Sequence, residues 1–173
     1  MRTLWLLRHA KSSWADDATA DHDRPLNVRG RAAARRLGRF LAGSETAPER
    51  ALCSTALRAS QTFDGIAAEL DSPPHCELER RLYLASPGEL LGCIQDVPDE
   101  VQSLMVIAHN PGIAELAMGL SRSGDAELRR SLNRKYPTGA LAELRLEASR
   151  WSEADLGGAL VGFVVPRLLP AVP

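Results

Sequence analysis

The stretch Leu4-Trp5-Leu6-Leu7-Arg8-His9-Ala10 decides the fold, together with its counterpart Leu104-Met105-Val106-Ile107-Ala108-His109-Asn110-Pro111-Gly112. Each is a short apolar run that stops at a histidine. Runs of this kind, bounded by turn residues, read as central strands of a parallel sheet with both faces covered. Working outward, residues 3–8 are the first strand and 11–26 a polar loop over one edge of the sheet. Asn27 caps a predicted helix that runs from Gly30 to Leu41 and stops at Gly43. Its arginines read as a solvated face. Glu49–Ser54 is a second strand, Leu57–Leu70 a second helix, and His75–Leu78 a short edge strand. Pro87 opens a helix that Pro98 ends. Residues 103–108 form a strand and Gly112–Leu120 a helix. Ala140–Leu146 and Ala159–Val165 then read as antiparallel additions to the sheet. Strands alternating with helices predict an α/β fold, a three-layer αβα sandwich around a mostly parallel mixed sheet.

Bulk properties narrow the function. At 173 residues the chain suits one domain, residues 1–173, with a real core. A formal net charge of −1 supplies no field for a general nucleic-acid or membrane-surface binder. No apolar run approaches the ~20 residues of a membrane span. The start of the chain lacks a signal-peptide core, so a cytoplasmic location is expected. Cys53, Cys76 and Cys93 show no metal-ligand spacing and read as core or half-buried thiols in a reducing compartment. Lys11 and Lys135 are the only lysines, so an anion site here is built chiefly from guanidinium forks.

The chemistry sits where the apolar runs end. Ligands of open α/β sheets bind beyond the carboxyl ends of the strands. His9, beside Arg8, and His109 are both delivered there, which points to chemistry on an anion. Taken singly each has a plainer reading: an incidental Arg-His pair, a turn histidine before Asn-Pro-Gly, and at Arg58 a solvated side chain poorly placed on a helix dipole. The order of the motifs separates these readings. Arg8-His9-Ala10 resembles the Arg-His-Gly signature of the histidine phosphatase superfamily, with its phosphoglycerate-mutase-like fold, alanine replacing glycine. Ser54-Thr55-Ala56-Leu57-Arg58 fits the family arginine after the second strand, and His109 the later histidine. Asp23-Arg24-Pro25-Leu26 with Gly30, Leu82-Tyr83-Leu84-Ala85-Ser86-Pro87, His109-Asn110-Pro111-Gly112 and Tyr136-Pro137-Thr138-Gly139-Ala140 are together similar to the SixA-type phosphohistidine phosphatases.

The resemblance implies that Arg8, His9, Arg58 and His109 are the catalytic residues. His9 attacks phosphorus and carries a phosphohistidine intermediate, the other three hold the phosphoryl oxygens, and water releases inorganic phosphate. Arg24, Ser54 and Asn110 are additional candidates for phosphate or substrate contact, with Thr55 beside them. Ala15 follows Trp14 where many relatives carry a phosphate-contacting asparagine. The arginines stand in for a metal, so no metal or cofactor is expected. His22 and His75 read as structural or surface residues.

Larger relatives add a glutamate that protonates an alcohol leaving group and a cap over the pocket. Glu77 and Glu79 lie in the right region, but their surroundings follow the SixA-type pattern, and residues 79–102 leave no room for a cap. A pocket without an acid favours a P–N bond, because imidazole leaves far more readily than an alkoxide. The leading expectation is a phosphatase for phosphohistidine-containing proteins. A phosphatase for a small phosphorylated metabolite and a non-catalytic phosphate-binding module remain alternatives.

Overall fold

The computed structural model describes residues 1–44 and 46–171. Seven strands form one sheet. In chain order they are β1 (Arg2–Arg8), β2 (Arg50–Ser54), β3 (His75–Glu79), β4 (Ser103–Ala108), β5 (Ser121–Gly124), β6 (Leu141–Leu146) and β7 (Gly158–Val164). Across the sheet they lie in the order β3-β2-β4-β1-β6-β7-β5. β6 alone runs against the others, antiparallel to both β1 and β7. The remaining pairings are parallel. This is the α/β sandwich with a mostly parallel mixed sheet that the sequence predicts.

Alternation along the central strands divides the core in two. Trp5 and Leu7 of β1, with Met105 and Ile107 of β4, face α1 (Val28–Ala42) and α2 (Leu57–Ala67). Leu4, Leu6, Leu104 and Val106 face the other way, onto α3 (Pro87–Gln95), α4 (Gly112–Leu120) and α5 (Ala126–Arg134). The apolar runs are therefore apolar because both sheet faces are covered. Helix starts follow local chemistry: the Asn27 side chain accepts from Gly30 N, and Ser86 and Glu89 form a reciprocal capping box with Pro87 at the first helical turn.

Two elements lie outside the sequence-based expectation. β5 is a short polar edge strand, Ser-Arg-Ser-Gly, with no apolar alternation to mark it. α5 buries only Leu132 on an otherwise charged helix, and its start is signalled by Asp125, whose side chain accepts from Glu127 N and Leu128 N. Cys53 and Cys93 are buried and Cys76 half-buried, all as free thiols. Among the described residues, no helix is long and apolar enough to cross a membrane.

The fold sets the site through its tight approaches. At Gly112, the first residue of α4, an added Cβ would overlap the carbonyl oxygen of Ala85. The Gly112→Ala variant is therefore expected to lose about 1–3 kcal/mol of stability, as overpacked cores do. Urea unfolding measures this; an unchanged midpoint would show that α4 can slide without cost.

Candidate active site

The carboxyl ends of β1 and β4 lie side by side, with Arg8 opposite Ala108. His9 continues the pairing by donating its backbone N–H to Ala108 O. Gly139, at φ +75°, donates its N–H to Arg8 O and His9 O, so the segment entering β6 closes the other side. A left-handed conformation of this kind favours glycine. His9 and His109 are thus brought to one edge, with ring centroids 5.0 Å apart.

α2 brings the third group. The Thr62 hydroxyl donates to Arg58 O at 2.6 Å and accepts from Ala10 N at 3.0 Å. That hydroxyl ties the first turns of α2 to the residue after His9. Arg58 is only 2% exposed, and its Nε lies 3.3 Å from His9 Nε2. Its Nη2 lies 3.4 Å from His109 Nδ1. Arg8 enters from the end of β1, with Nη1 donating to Tyr136 O at 3.0 Å. The four residues border one cleft of about 360 Å³.

Hydrogen bonds select the tautomers. His9 Nδ1 lies 2.7 Å from Ala10 O, a pure acceptor, so Nδ1 carries the proton and Nε2 keeps its lone pair. At His109, Arg58 donates toward Nδ1, which leaves Nε2–H to donate to Ser54 Oγ at 2.7 Å. Burial, with the Arg58 and Arg8 charges adding to it, lowers His9 to about 4. Burial, then His9 and Arg58, lowers His109 to about 3. Both rings are neutral in the resting protein, and His9 presents an unprotonated nitrogen at Nε2.

The excess positive charge is met by Asp21, on the single-turn helix Asp21–Asp23. One carboxylate oxygen accepts from Arg24 Nε and Nη2 at 3.1 and 2.9 Å. The other accepts from Arg58 Nη2 at 3.0 Å and from the Tyr83 hydroxyl at 2.6 Å. The Tyr83 hydroxyl, then Arg24 and Arg58, hold Asp21 well below the usual carboxylate range. Arg24 is buried, donates to Ser12 Oγ at 2.7 Å, and lies 3.5 Å from the centre of the Trp14 ring.

Not every candidate from the sequence lines the cleft. Arg24 and Asn110 do; Ser54 does not, because it lies beneath His109 as its hydrogen-bond partner. Thr55 turns to a neighbouring cavity, where its hydroxyl meets His22 Nε2 at 3.0 Å. Asn110 Nδ2 donates to Tyr136 O, while Asn110 Oδ1 and Arg8 Nε are buried without a hydrogen-bond partner among the described residues. Glu77 pairs with Arg50, and Glu79 with Arg81. Both border a separate cavity, and Asp21 is the one carboxylate bordering the His9 cleft among the described residues. Among those residues, no group of three His, Cys, Asp or Glu gathers to hold a metal ion.

Asp21, Thr62 and Tyr83 were not candidates from sequence. Asp21 carried a signal, since it stands three residues before Arg24 in a loop that returns to the sheet edge. Tyr83 lies in a quoted motif but had no assigned chemistry. Thr62 looks like any helical threonine until its Ala10 contact is known.

Two neutral imidazoles among guanidinium forks, at the carboxyl edge of a parallel sheet, define a cleft suited to an anion, with an unprotonated ring nitrogen facing it. The chain belongs to the histidine phosphatase superfamily (branch 1), whose family model matches residues 4–110. It is a phosphatase, a hydrolase of that type. It is 42% identical over 164 residues to an uncharacterized protein of Mycobacterium tuberculosis H37Rv, covering 93% of this chain and all of that one. It is 28% identical over 148 residues to the phosphohistidine phosphatase SixA of Escherichia coli K12, covering 84% of this chain and 86% of that protein. Among solved structures, the protein histidine phosphatase SixA complexed with tungstate superposes with a TM-score of 0.77 at 25% identity, covering 95% of this chain and 97% of that chain.

The protonation states are open to direct measurement. In a ¹⁵N-detected NMR titration, His9 and His109 are expected to stay neutral until about pH 4 and about pH 3 respectively. The bound proton should sit on Nδ1 of His9 and Nε2 of His109. Midpoints near 6.5, the value of a free imidazole, would contradict the buried arrangement.

Proposed function

We propose that the protein hydrolyses phosphohistidine on other proteins, by way of a phosphoryl group carried transiently on His9. The observation that carries this reading is the state of the one carboxylate in the cleft. Asp21 is held ionised by Tyr83, Arg24 and Arg58, and so cannot give a proton to a leaving group. An alkoxide cannot leave without one. The imidazole of phosphohistidine takes its proton from solvent at the distal ring nitrogen and departs as neutral imidazole. Similarity to SixA, a phosphohistidine phosphatase, supports the same substrate class.

The reaction runs as two successive phosphoryl transfers. The phosphoryl oxygens take the place beside Arg8, Arg58 and His109, whose donors spread over the equatorial charge. His9 Nε2 attacks phosphorus as the P–N bond to the substrate imidazole breaks. The Nδ1–H bond to Ala10 O fixes the ring and supports the positive charge it gains. Water then attacks phosphorus in turn, the bond to Nε2 breaks, and inorganic phosphate leaves. His109, neutral at rest, gains basicity beside the bound anion and donates to it. In this scheme Arg8, His9, Arg58 and His109 are the reacting set, and the reaction needs no metal.

The experiment compares a phosphohistidine protein with a panel of phosphate esters in the presence of a chelator. A strong preference for the P–N substrate is expected; a preference for esters sinks the reading. Acid-quenched and alkali-quenched samples should differ, an adduct on His9 surviving alkali and vanishing in acid. His9→Ala should abolish turnover and adduct together. Arg58→Ala should lower kcat by roughly 10²–10³-fold, the loss typical of one transition-state donor, and raise KM as well.

A further inference from the structure

Beside the His9 cleft, and sharing Lys11 and Thr138 with it, runs a groove of about 480 Å³. Five cations border it: Lys11, Arg29, Arg36, Lys135 and Arg167, with no carboxylate among its lining residues. Both lysines of the chain are here. Among the described residues none of the five pairs with an acid. Elsewhere arginines do find partners. On α1 itself, Arg35 and Arg39 both close on Glu69. Arg36 Nε is moreover buried without a hydrogen-bond partner among the described residues. Arg29 stands in the first turn of α1, where a helix dipole already favours anions and disfavours a cation.

The cations come from four separate segments: the loop after β1, α1, the loop after α5, and the turn Pro166–Leu168. Between them lie Ala33, Pro137, Val165 and Pro166. An oligophosphate calls for cations and backbone amides crowded on one point. Dispersed cations around an apolar floor suit an extended chain, whose backbone and methylenes lie on the floor while its carboxylates reach the rim. The overall charge of −1 makes this a local concentration of charge and not general basicity.

We infer that this groove docks an acidic stretch of polypeptide on the protein whose phosphohistidine enters the neighbouring cleft. The inference rests on the phosphohistidine reading above for its substrate, and on the groove alone for its binding. It explains how a small uncapped site selects among phosphohistidines: the phosphoryl group is common to all of them, and the flanking charge is not. Rim charges of this kind act mainly on encounter and selection, and are screened by salt.

Two assays separate the parts. In the first, a fluorescent unphosphorylated peptide rich in Asp and Glu is titrated with the protein, beside the matched Asn/Gln peptide and inorganic tripolyphosphate. Binding of the acidic peptide, weakened by added salt, is expected. The Arg29→Glu/Lys135→Glu/Arg167→Glu variant should lose at least about tenfold in affinity, and the corresponding Gln variant less. These side chains are exposed, and circular dichroism checks the fold. Equal binding of the acidic and amide peptides overturns the inference, as does capture of tripolyphosphate without the acidic peptide. In the second assay, free phosphohistidine should be hydrolysed equally by wild type and variant. A phosphohistidine peptide with acidic flanks should show a raised KM and unchanged kcat in the variant. If wild type binds the acidic peptide but leaves free phosphohistidine intact, the groove stands and the phosphohistidine reading falls.

Discussion

A guanidinium almost withdrawn from water, that of Arg58, sets the terms for its surroundings. A buried charge without compensation costs several kcal/mol, so it must be paired and hydrogen-bonded. Here the backbone oxygen and carboxylate of Asp21 supply the compensation. That carboxylate in turn gathers Arg24 and Tyr83, which shape the loop over the sheet edge. Burial keeps both neighbouring imidazoles neutral, and the same charge adds to that effect. One cation thus arranges the loop, the tautomers and the absence of an available acid.

The chemical character of the cleft follows from this economy. Neutral histidines flanked by permanent cations make a place where an anion is welcome and a ring nitrogen is free to bond. A carboxylate that must stay ionised to balance Arg58 has no proton to give. A free lone pair at His9 Nε2 and a carboxylate fixed in its ionised form are two consequences of a single electrostatic arrangement. Ser54 and Thr62, each spending its hydroxyl on one orientation, make that arrangement rigid.

The fold was legible in the sequence wherever burial on both sheet faces leaves unbroken apolar runs, as at Leu4–Leu7 and Leu104–Ala108. Histidines and arginines placed just beyond such runs declared the cleft, because strand ends fix position within a residue. Asp21 and Tyr83 were harder to see. Their partners lie tens of residues away, and nothing in a polar loop reveals which carboxylate folds back onto a buried cation. Ser54, a sequence candidate for substrate contact, instead turns its hydroxyl to His109, a pairing across 55 residues that sequence does not display. β5 and α5 escaped notice because an edge strand and a charged surface helix bury too little to leave a periodic mark.

The reversed direction of β6 has a consequence for how such a protein diversifies. Because that strand enters the sheet beside the end of β1, the connection preceding it arrives beside Arg8 and His9, bringing Tyr136 O and the Gly139 amide. Lengthening or recomposing this connection remodels one wall of the cavity while strand registration stays untouched. New specificities therefore have a route of entry that leaves the folding problem already solved.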